Sequence, residues 1–491
     1  MLNQTTPRRP RWLPALLISV ILVWFGTNAH SLSAERPPRL AAEWEPALGA
    51  LIVWPPIVPD SLLVEIARDD RLFIIVADQE ERTEAESTLN DLGIDPGSVE
   101  LIIDETVGGH RWTRDWGPSA LFDRNGDFHL VDPKFVDYPV SMPDCTSLLY
   151  SLSPFSLFWD LFGDGGGESD PTAEQLARRL DVPRLELPYA LTGGNALVDG
   201  LGTAFSTCVM LNENNKYLGL GEKEFFSTVE TQLGINNYII LPNFEWFGIQ
   251  HIDCLLKPLD EERLLVKRVP EGHPDHELIE EIVEILSRFT NPYGRPYRIH
   301  RIDTPPYSMG HHVANYTNSL ILNRKVLVPL FGIPGDEEAL ETFREAMPGY
   351  EVLGFENDGP WGWNSFDALH CRVRAIWDPE MLYMTHKRIE DRVPSTLSYP
   401  VEVRIRDYSR AGLIQEELKL SWRLHGETEW SEAVLRVGSE PDLFMAAIPA
   451  QDVGATVEYF LSAADRSGRR ETLPRVAPDG FYSFEVDSRA D

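Results

Sequence analysis

Two titratable side chains stand one residue apart in Gly248-Ile249-Gln250-His251-Ile252-Asp253-Cys254. Apolar runs on either side, Ile239-Ile240-Leu241 and Leu264-Leu265-Val266, are typical of strands, and we expect the segment between them to be a strand as well. In a strand His251 and Asp253 would share one face, roughly 7 Å apart. The pair suits acid–base chemistry, although a His and an Asp on a solvated face would have the same spacing.

A cysteine follows a loop rich in glycine and tryptophan, Gly359-Pro360-Trp361-Gly362-Trp363-Asn364-Ser365-Phe366-Asp367-Ala368-Leu369-His370-Cys371. Its neighbours His370 and Arg372 are cationic residues that could favour a reactive thiolate. The alternative is a buried, inert cysteine. The four cysteines of the chain have no zinc-like spacing, so we predict no metal site.

A third polar segment, His110-Arg111-Trp112-Thr113-Arg114-Asp115-Trp116-Gly117-Pro118, places two tryptophans around an Arg-Asp pair. Aromatic rings beside a carboxylate can hold a flat cation by stacking. An ion pair in a well-packed turn is the structural alternative. Further along, Gly193-Gly194 is more typical of close backbone approach than of a phosphate site, because no phosphate-loop pattern accompanies it.

A Cys, a His and two Asp on separate segments suit nucleophilic catalysis with acid–base help. One such chemistry is acyl transfer by a cysteine peptidase, and another is attack on a guanidinium carbon. A guanidinium is planar and cationic, and paired carboxylates clamp it with charge-assisted bidentate hydrogen bonds. A peptidase needs neither the second acid nor the neighbouring tryptophans, so these residues favour a guanidinium site.

Short apolar runs alternate with helical stretches, which predicts an α/β domain. We expect strands at 51–54, 72–76 and 99–103 and helices at 80–92, 222–233, 275–289 and 337–346. Residues 394–400 are a plausible linker. Beyond it, strand-like runs at 401–405, 418–424, 444–448, 457–461 and 481–486 predict a small antiparallel β-sandwich, immunoglobulin- or fibronectin-like.

The chain is acidic, with a formal net charge of -33 over 491 residues. Such a charge disfavours nucleic acid and anionic membranes as partners and favours encounter with cations. Near the N-terminus Arg8, Arg9 and Arg11 precede an apolar run from Leu13 to Phe25. We therefore expect residues 1–34 to be a signal peptide or an uncleaved anchor and the protein to be secreted, periplasmic or at the cell surface. Membrane contact is expected only through this segment.

Five motifs together resemble the bacterial peptidylarginine deiminase and agmatine deiminase family of the guanidino-group-modifying superfamily, in order and approximate spacing from about residue 40 to 390. They are Trp112-Thr113-Arg114-Asp115-Trp116-Gly117-Pro118, Gly193-Gly194-Asn195, Gln250-His251-Ile252-Asp253-Cys254, Tyr316-Thr317-Asn318-Ser319 and Ala368-Leu369-His370-Cys371. The resemblance implies an α/β fold, a five-bladed pseudo-symmetric propeller of ββαβ repeats. The catalytic domain would span residues 35–393 and an immunoglobulin-like β-sandwich residues 394–491.

The resemblance also implies a role for each matching residue. Cys371 corresponds to the nucleophile, His251 to the general acid/base, and Asn318 to an active-site asparagine. Asp115 and Asp253 correspond to the guanidinium clamp, and we expect Trp112 to contact the substrate beside them. The implied reaction converts arginine in a protein or peptide to citrulline and ammonia through a covalent thiouronium on the cysteine, and it needs no cofactor.

One departure from the resemblance concerns the substrate carboxylate. Secreted relatives that act on C-terminal arginine resemble one another in an Arg-x-Arg pair, whereas the corresponding region here offers only Lys134, with Asp132 and Asp137 close by. Internal arginine, agmatine or another small guanidine fits these charges better than C-terminal arginine does. The sequence is also compatible with amidino transfer, with a different hydrolysis, and with a non-catalytic exported binding or adhesion protein.

Overall fold

The computed structural model describes residues 36–107, 109–136, 171–245, 248–308 and 311–488. The predicted signal segment at 1–34 lies outside the described residues. So do Asp137 and the segment 144–170, which is rich in aromatic residues and ends in an acidic Gly-rich run, a composition compatible with a lid, a partner-binding insertion or an irregular packed loop. The chain from Pro37 onward belongs to one compact unit. Within the described ranges, no helix combines the length and the apolar character that crossing a bilayer would require.

Five small sheets hold the strands of residues 39–377. In each sheet one strand pairs antiparallel with one neighbour and parallel with the other. With strands given in order of neighbours, the first sheet contains β1 (Arg39–Leu40), β5 (Ser119–Phe122), β6 (Phe128–Lys134) and β7 (Arg184–Ala190), and the second contains β10 (Asn237–Leu241), β9 (Thr203–Thr207) and β8 (Leu197–Val198). The third contains β11 (Leu256–Pro258), β12 (Arg263–Arg268) and β13 (Arg298–Asp303), and the fourth contains β14 (Leu320–Leu322), β15 (Lys325–Leu330) and β16 (Glu351–Glu356). The fifth contains β17 (Arg374–Trp377), β2 (Ala47–Val53), β3 (Arg71–Val76) and β4 (Val99–Ile103).

A helix lies between the two parallel strands of each sheet, since a parallel pairing needs a crossover connection. These helices are α1 (Asp60–Asp69), α2 (Gln79–Asp91), α4 (Glu174–Leu180), α6 (Glu222–Leu233), α7 (His276–Leu286) and α8 (Gly335–Ala346). Single helical turns α3 (Thr113–Trp116), α5 (Val209–Asn212) and α9 (Leu369–Arg372) stand in the connections. The four helices and the three strands predicted for this part of the chain are confirmed.

The helices pack through one apolar face, as their residue spacing dictates. In α7 the buried side chains of Ile279, Ile282 and Leu286 recur every three to four residues and contact Leu264 and Val266 of β12. Each such aliphatic side chain stabilises the fold by about 1.5–3 kcal/mol on full burial. Helices pack on strands in this way in each sheet, and the polar motifs lie in the turns that connect these elements.

Strands from distant parts of the sequence join in the last of the five sheets. β17 pairs antiparallel with β2, so that Arg374 lies opposite Leu51. This pairing fixes the turn α9, which immediately precedes β17, against the N-terminal part of the fold. Cys371 lies in this turn, and the paired strand that follows it anchors the turn in the fold.

Two further sheets hold the C-terminal strands and share one core. In β20 the side chains of Val401, Val403 and Ile405 point inward and alternate with exposed residues, as expected for a strand with one buried face. All five predicted C-terminal strands are confirmed. The first sheet contains β18 (Leu382–Thr385), β20 (Ser398–Asp407), β24 (Leu443–Pro449) and β23 (Arg436–Val437), and the second contains β19 (Arg392–Pro394), β27 (Tyr482–Asp487), β25 (Thr456–Ala464), β21 (Lys419–Leu424), β22 (Ser431–Val434) and β26 (Arg470–Leu473).

The predicted strand at residues 248–254 is wrong. Gln250 takes a left-handed backbone conformation, with φ of 58°, and its side chain donates back to the carbonyl of Glu245 over 2.8 Å. His251 is extended and caps a single 3₁₀ turn, Ile252–Cys254. The segment forms no strand ladder, because the Cys254 N–H bonds to the carbonyl of His251 over 3.0 Å, while the Ile252 N–H and the Gln250 carbonyl bond to the side chains of Asn195 and Thr207. His251 and Asp253 are thus positioned by this turn and not by strand alternation.

Candidate active site

The predicted polar residues converge, although they come from four different connections, with His251 and Asp253 on the same one. Asp115 is in turn α3, Asp253 in the 3₁₀ turn before β11, and Cys371 in turn α9. Asn318 precedes β14, and His251 stands next to the 3₁₀ turn. All five side chains are buried, with at most 2% of each exposed. The fold therefore collects in its interior a set of groups that hydrophobic packing alone would exclude.

The Cys371 sulfur is held by an amide. Asn318 Nδ2 donates to Cys371 Sγ over 3.2 Å, and Asn318 Oδ1 accepts from the Cys371 backbone N–H, also over 3.2 Å. Asp253 Oδ2 lies 3.7 Å from the same sulfur. The two-point contact with Asn318 fixes the position of the sulfur against one of the two predicted clamp carboxylates.

Cys371 is a free thiol with an unusually weak acidity. A hydrogen bond with Cys254, burial and the charge of Asp253 raise the pKa of the Cys371 thiol well above its usual range. The expectation that His370 and Arg372 favour a thiolate is therefore wrong. His370 bonds to carboxylates instead, and Arg372 is bound by Asp367 over 2.7 Å.

His251 lies beside a carboxylate that favours the protonated form of its ring. Its Nδ1 lies 3.4 Å from Asp115 Oδ1. Burial alone would lower the pKa of His251, but the carboxylates of Asp115 and Asp253 raise it to about 9. At neutral pH the ring is thus an imidazolium, which is the form a general acid requires.

Gly194 lies where three of these side chains meet. Its backbone N–H donates to Asp115 Oδ1 over 3.1 Å. A Cβ at this position would stand 2.5 Å from Asp115 Oδ1, 2.8 Å from His251 Nδ1 and 3.2 Å from Asp253 Oδ2. The interpretation of the double glycine as a close backbone approach is confirmed, and the two aspartates and the histidine surround one point.

Trp112, predicted to contact the substrate, is the residue before turn α3 and is half-buried. Its stacking role stays a prediction.

Most of the chain is similar to one family of known proteins. A family model described as Porphyromonas-type peptidyl-arginine deiminase matches residues 39–371. The chain belongs to this family. The deiminase is accordingly a hydrolase that acts on the carbon–nitrogen bonds of guanidino groups.

Individual proteins are similar to this chain in sequence or in fold. A protein of Listeria monocytogenes serotype 4b, inferred to be agmatine deiminase 1, is 26% identical over 356 residues, which cover 64% of this chain and 90% of the relative. The crystal structure of a Porphyromonas gingivalis protein, inferred to be an arginine deiminase, has a TM-score of 0.54 at 20% identity and covers 70% of this chain and 99% of its own. The structure of agmatine deiminase of Enterococcus faecalis also has a TM-score of 0.54, at 18% identity, and covers 70% and 96%. At such identities the two structures show a shared mixed α/β fold.

The deiminase site has a supporting layer that the sequence did not reveal. His370 Nδ1 bonds to Asp253 Oδ2 over 2.7 Å, and its Nε2 bonds to Glu43 Oε2 over 2.5 Å. Glu43 is also paired with Lys257 over 2.6 Å and with Arg114 over 3.1 Å. The charges of Lys257 and His370 outweigh burial and hold the pKa of Glu43 well below its usual range.

Asp253 is kept ionised by this layer. Burial would raise its pKa, but the hydrogen bond and charge of His370 lower it below the usual value. The adjacency of Arg114 to Asp115 and of His370 to Cys371 was the available sequence signal. Glu43 gave none because it is far from the motifs along the chain, and Lys257 gave none because, three residues after Cys254, it lies outside the motif.

Glu213 is a further acid of the deiminase site that the sequence did not indicate. It begins a π-helical turn, Glu213–Tyr217, is 1% exposed, and accepts a hydrogen bond from Thr192 over 2.9 Å. Burial raises the pKa of Glu213 to about 7, while the charge of His251 opposes the rise. A carboxyl that titrates near neutrality next to the imidazolium couples the two protonation states.

Proposed function

We propose that this deiminase hydrolyses the guanidinium of arginine in a protein or peptide to citrulline and ammonia, through a thiouronium on Cys371. The observation that carries the proposal is the convergence of the Cys371 sulfur, the His251 imidazolium and the carboxylates of Asp115 and Asp253. A guanidinium between the two carboxylates meets acceptors on both edges, in the geometry that charge-assisted bidentate bonds favour. Its carbon then faces the sulfur.

The first half of the reaction forms the carbon–sulfur bond. Binding of the cation next to Cys371 lowers the raised pKa of the thiol and favours loss of its proton to solvent. The thiolate attacks the guanidinium carbon and gives a neutral tetrahedral adduct. His251 donates its proton to one amino group, the carbon–nitrogen bond breaks, and ammonia leaves the cationic thiouronium.

The second half releases the product. The neutral His251 takes a proton from water while the water oxygen attacks the thiouronium carbon. The carbon–sulfur bond breaks, the remaining hydroxyl proton passes to the departing sulfur, and the ureido product forms. Both the thiol and the imidazolium are restored, so the cycle needs no cofactor.

The charged residues of β6, where the relatives that act on C-terminal arginine bind the substrate carboxylate, support a substrate that has no free carboxylate there. Lys134 pairs with Glu186 over 3.1 Å, and Asp132 pairs with Arg184 over 2.7 Å. The basic residue that could bind a terminal carboxylate thus already bonds to an acid. We therefore place internal arginine ahead of C-terminal arginine.

A second candidate substrate is agmatine, a guanidine with an amine in place of the carboxylate. Curated relatives are named for agmatine deiminase activity, and the acidic chain suits a doubly cationic substrate. The predicted export favours peptides instead, because agmatine is usually a cytoplasmic metabolite.

A colorimetric assay for ureido product separates these candidates. The purified protein is given a peptide with internal arginine, a peptide with C-terminal arginine, free arginine and agmatine, at matched concentrations. The proposal expects the highest kcat/KM for internal arginine, and a higher value for agmatine would select the second candidate. Product from none of the four would refute both and favour a binding or adhesion protein.

The architecture and location are part of the same proposal. We infer that the five sheets of residues 39–377 are blades of one five-bladed ring, closed by the pairing of β17 with β2. The two C-terminal sheets would form an immunoglobulin-like sandwich. Strands β18 and β19 begin before residue 394 and pair with strands beyond it. Export through residues 1–34 would place the enzyme outside the cytoplasm, and N-terminal sequencing of protein recovered outside the cytoplasm tests this.

A further inference from the structure

A second thiol lies beside the candidate nucleophile. Asn318 Nδ2 is 3.2 Å from Cys371 Sγ and 3.8 Å from Cys254 Sγ, so one amide faces both sulfurs. Asp253 contributes one oxygen to each, at 3.7 Å from Cys371 Sγ and 3.5 Å from Cys254 Sγ. The two sulfurs and a carboxylate oxygen all lie within 4.8 Å of one another. All four residues are at most 1% exposed.

We propose that Cys254, Cys371 and Asp253 form an inhibitory binding site for a thiophilic divalent cation such as Zn²⁺. In tetrahedral zinc sites with bonds of about 2.3 Å to sulfur and about 2.1 Å to oxygen, neighbouring sulfur and oxygen ligands are about 3.6 Å apart. The two sulfur–oxygen distances here are within about 0.2 Å of that value. These distances involve the two different oxygens of Asp253, so a small movement of one sulfur towards the oxygen that the other contacts brings three ligand atoms to the spacing that one ion needs.

The chemistry of the ligands selects the metal. Two sulfurs and one carboxylate suit zinc and other borderline or soft ions, whereas Mg²⁺ and Ca²⁺ prefer shells made of oxygen. Three protein ligands leave the fourth tetrahedral position to water. His370 supports Asp253 from behind over 2.7 Å, as outer-shell partners commonly orient metal ligands.

The inhibitory effect rests on the proposed function. Metal binding replaces the protons of both thiols with the ion and occupies the sulfur that would attack the substrate. It also binds Asp253, one half of the guanidinium clamp. Metal and guanidinium therefore exclude each other, and removal of the metal by a chelator restores the free thiol.

Cobalt(II) tests the site without reference to activity. When Co²⁺ is added to the reduced, metal-free full-length protein, we expect one equivalent to bind with a sulfur-to-cobalt charge-transfer absorption band. Cys254→Ser and Cys371→Ser should each weaken the affinity at least tenfold and reduce the band. Asp69→Asn is the matched control, because Asp69 belongs to an exposed acidic group with Glu65 and Glu351 that offers no sulfur.

The outcomes distinguish this proposal from the proposed function. Absence of the band, or a band unchanged in Cys254→Ser, would overturn the metal site and leave the deiminase reaction standing. A strong band in a protein that hydrolyses no guanidine would support the site and refute the reaction. For the active enzyme, we expect zinc inhibition reversed by a chelator, and a zinc concentration for half-inhibition at least tenfold higher in Cys254→Ser, each variant being compared with its own metal-free rate.

Discussion

His370 Nδ1 lies 2.7 Å from Asp253 Oδ2, with both side chains buried. The other ring nitrogen of His370 bonds to Glu43. The imidazole thus bridges two carboxylates, one of them in the predicted guanidinium clamp. The bond orients Asp253 before any substrate arrives, so that its ionised oxygen faces the Cys371 sulfur.

Removal of this bridge should weaken the clamp. His370→Leu leaves Asp253 and Glu43 without their shared hydrogen-bond partner, and we expect kcat/KM for the arginine substrate to fall by about 10²-fold or more. His370→Asn keeps an N–H near the Nδ1 position and should recover part of the loss. Steady-state kinetics with separate kcat and KM values measure this, and equal losses in the two variants would contradict an orienting role.

Replacement of the sulfur should abolish turnover. Cys371→Ser removes the nucleophile with little change in volume, and we expect kcat to fall by at least about 10³-fold, while the melting temperature changes little. Intact mass spectrometry of quenched wild-type enzyme should detect a thiouronium adduct on the peptide that contains Cys371. Retained ammonia release in Cys371→Ser would exclude the covalent route.

The pH dependence of turnover should follow His251. Its pKa of about 9 means that the imidazolium, the proposed acid for the departing ammonia, is lost as pH rises through that value. We expect kcat to decrease above about pH 9 and His251→Gln to be slower by orders of magnitude with that limb of the profile absent. A wild-type rate that keeps rising beyond about pH 10 would contradict this assignment.

The same shift predicts a change in stability. The folded-state pKa of His251 lies above the value of about 6.5 expected for an unfolded histidine. Its contribution, on the order of 3 kcal/mol, is therefore fully present below about pH 6.5 and lost as pH rises through about 9. Chemical denaturation at about pH 6 and about pH 10 should show a smaller pH-dependent loss in His251→Gln than in the wild type.

A single methyl group should disturb the site through Gly194. In Gly194→Ala the new Cβ would overlap Asp115 and His251, so we expect kcat/KM to fall by at least about tenfold. Gly221→Ala is the matched control, since no atom lies within 4 Å of its Cβ and its φ is an ordinary −68°. Similar kinetics for the two variants would show that the close approach at Gly194 is not needed.

The sequence by itself determined the regular elements and the reactive residue types. Apolar periodicity located helices such as α6 and α8 and strands such as β3. The spacing of apolar residues along a short segment already shows whether one face or both faces of a helix or strand will be buried. The order of the motifs also pointed to Cys371, His251, Asp115, Asp253 and Asn318. Residue type limits chemistry, so a thiol, an imidazole and paired carboxylates already indicated a guanidinium site.

Only the tertiary structure decided how these groups bond to one another. Gln250 turns the His251 segment out of the expected strand through a side-chain bond that no periodicity records. Glu43 reaches His370 across 327 positions of the chain, and Cys254 comes beside Cys371 although their spacing is not that of a metal motif. Hydrogen bonds, ion pairs and pKa values depend on distance in space and on burial, and those are fixed only when the sheets pack.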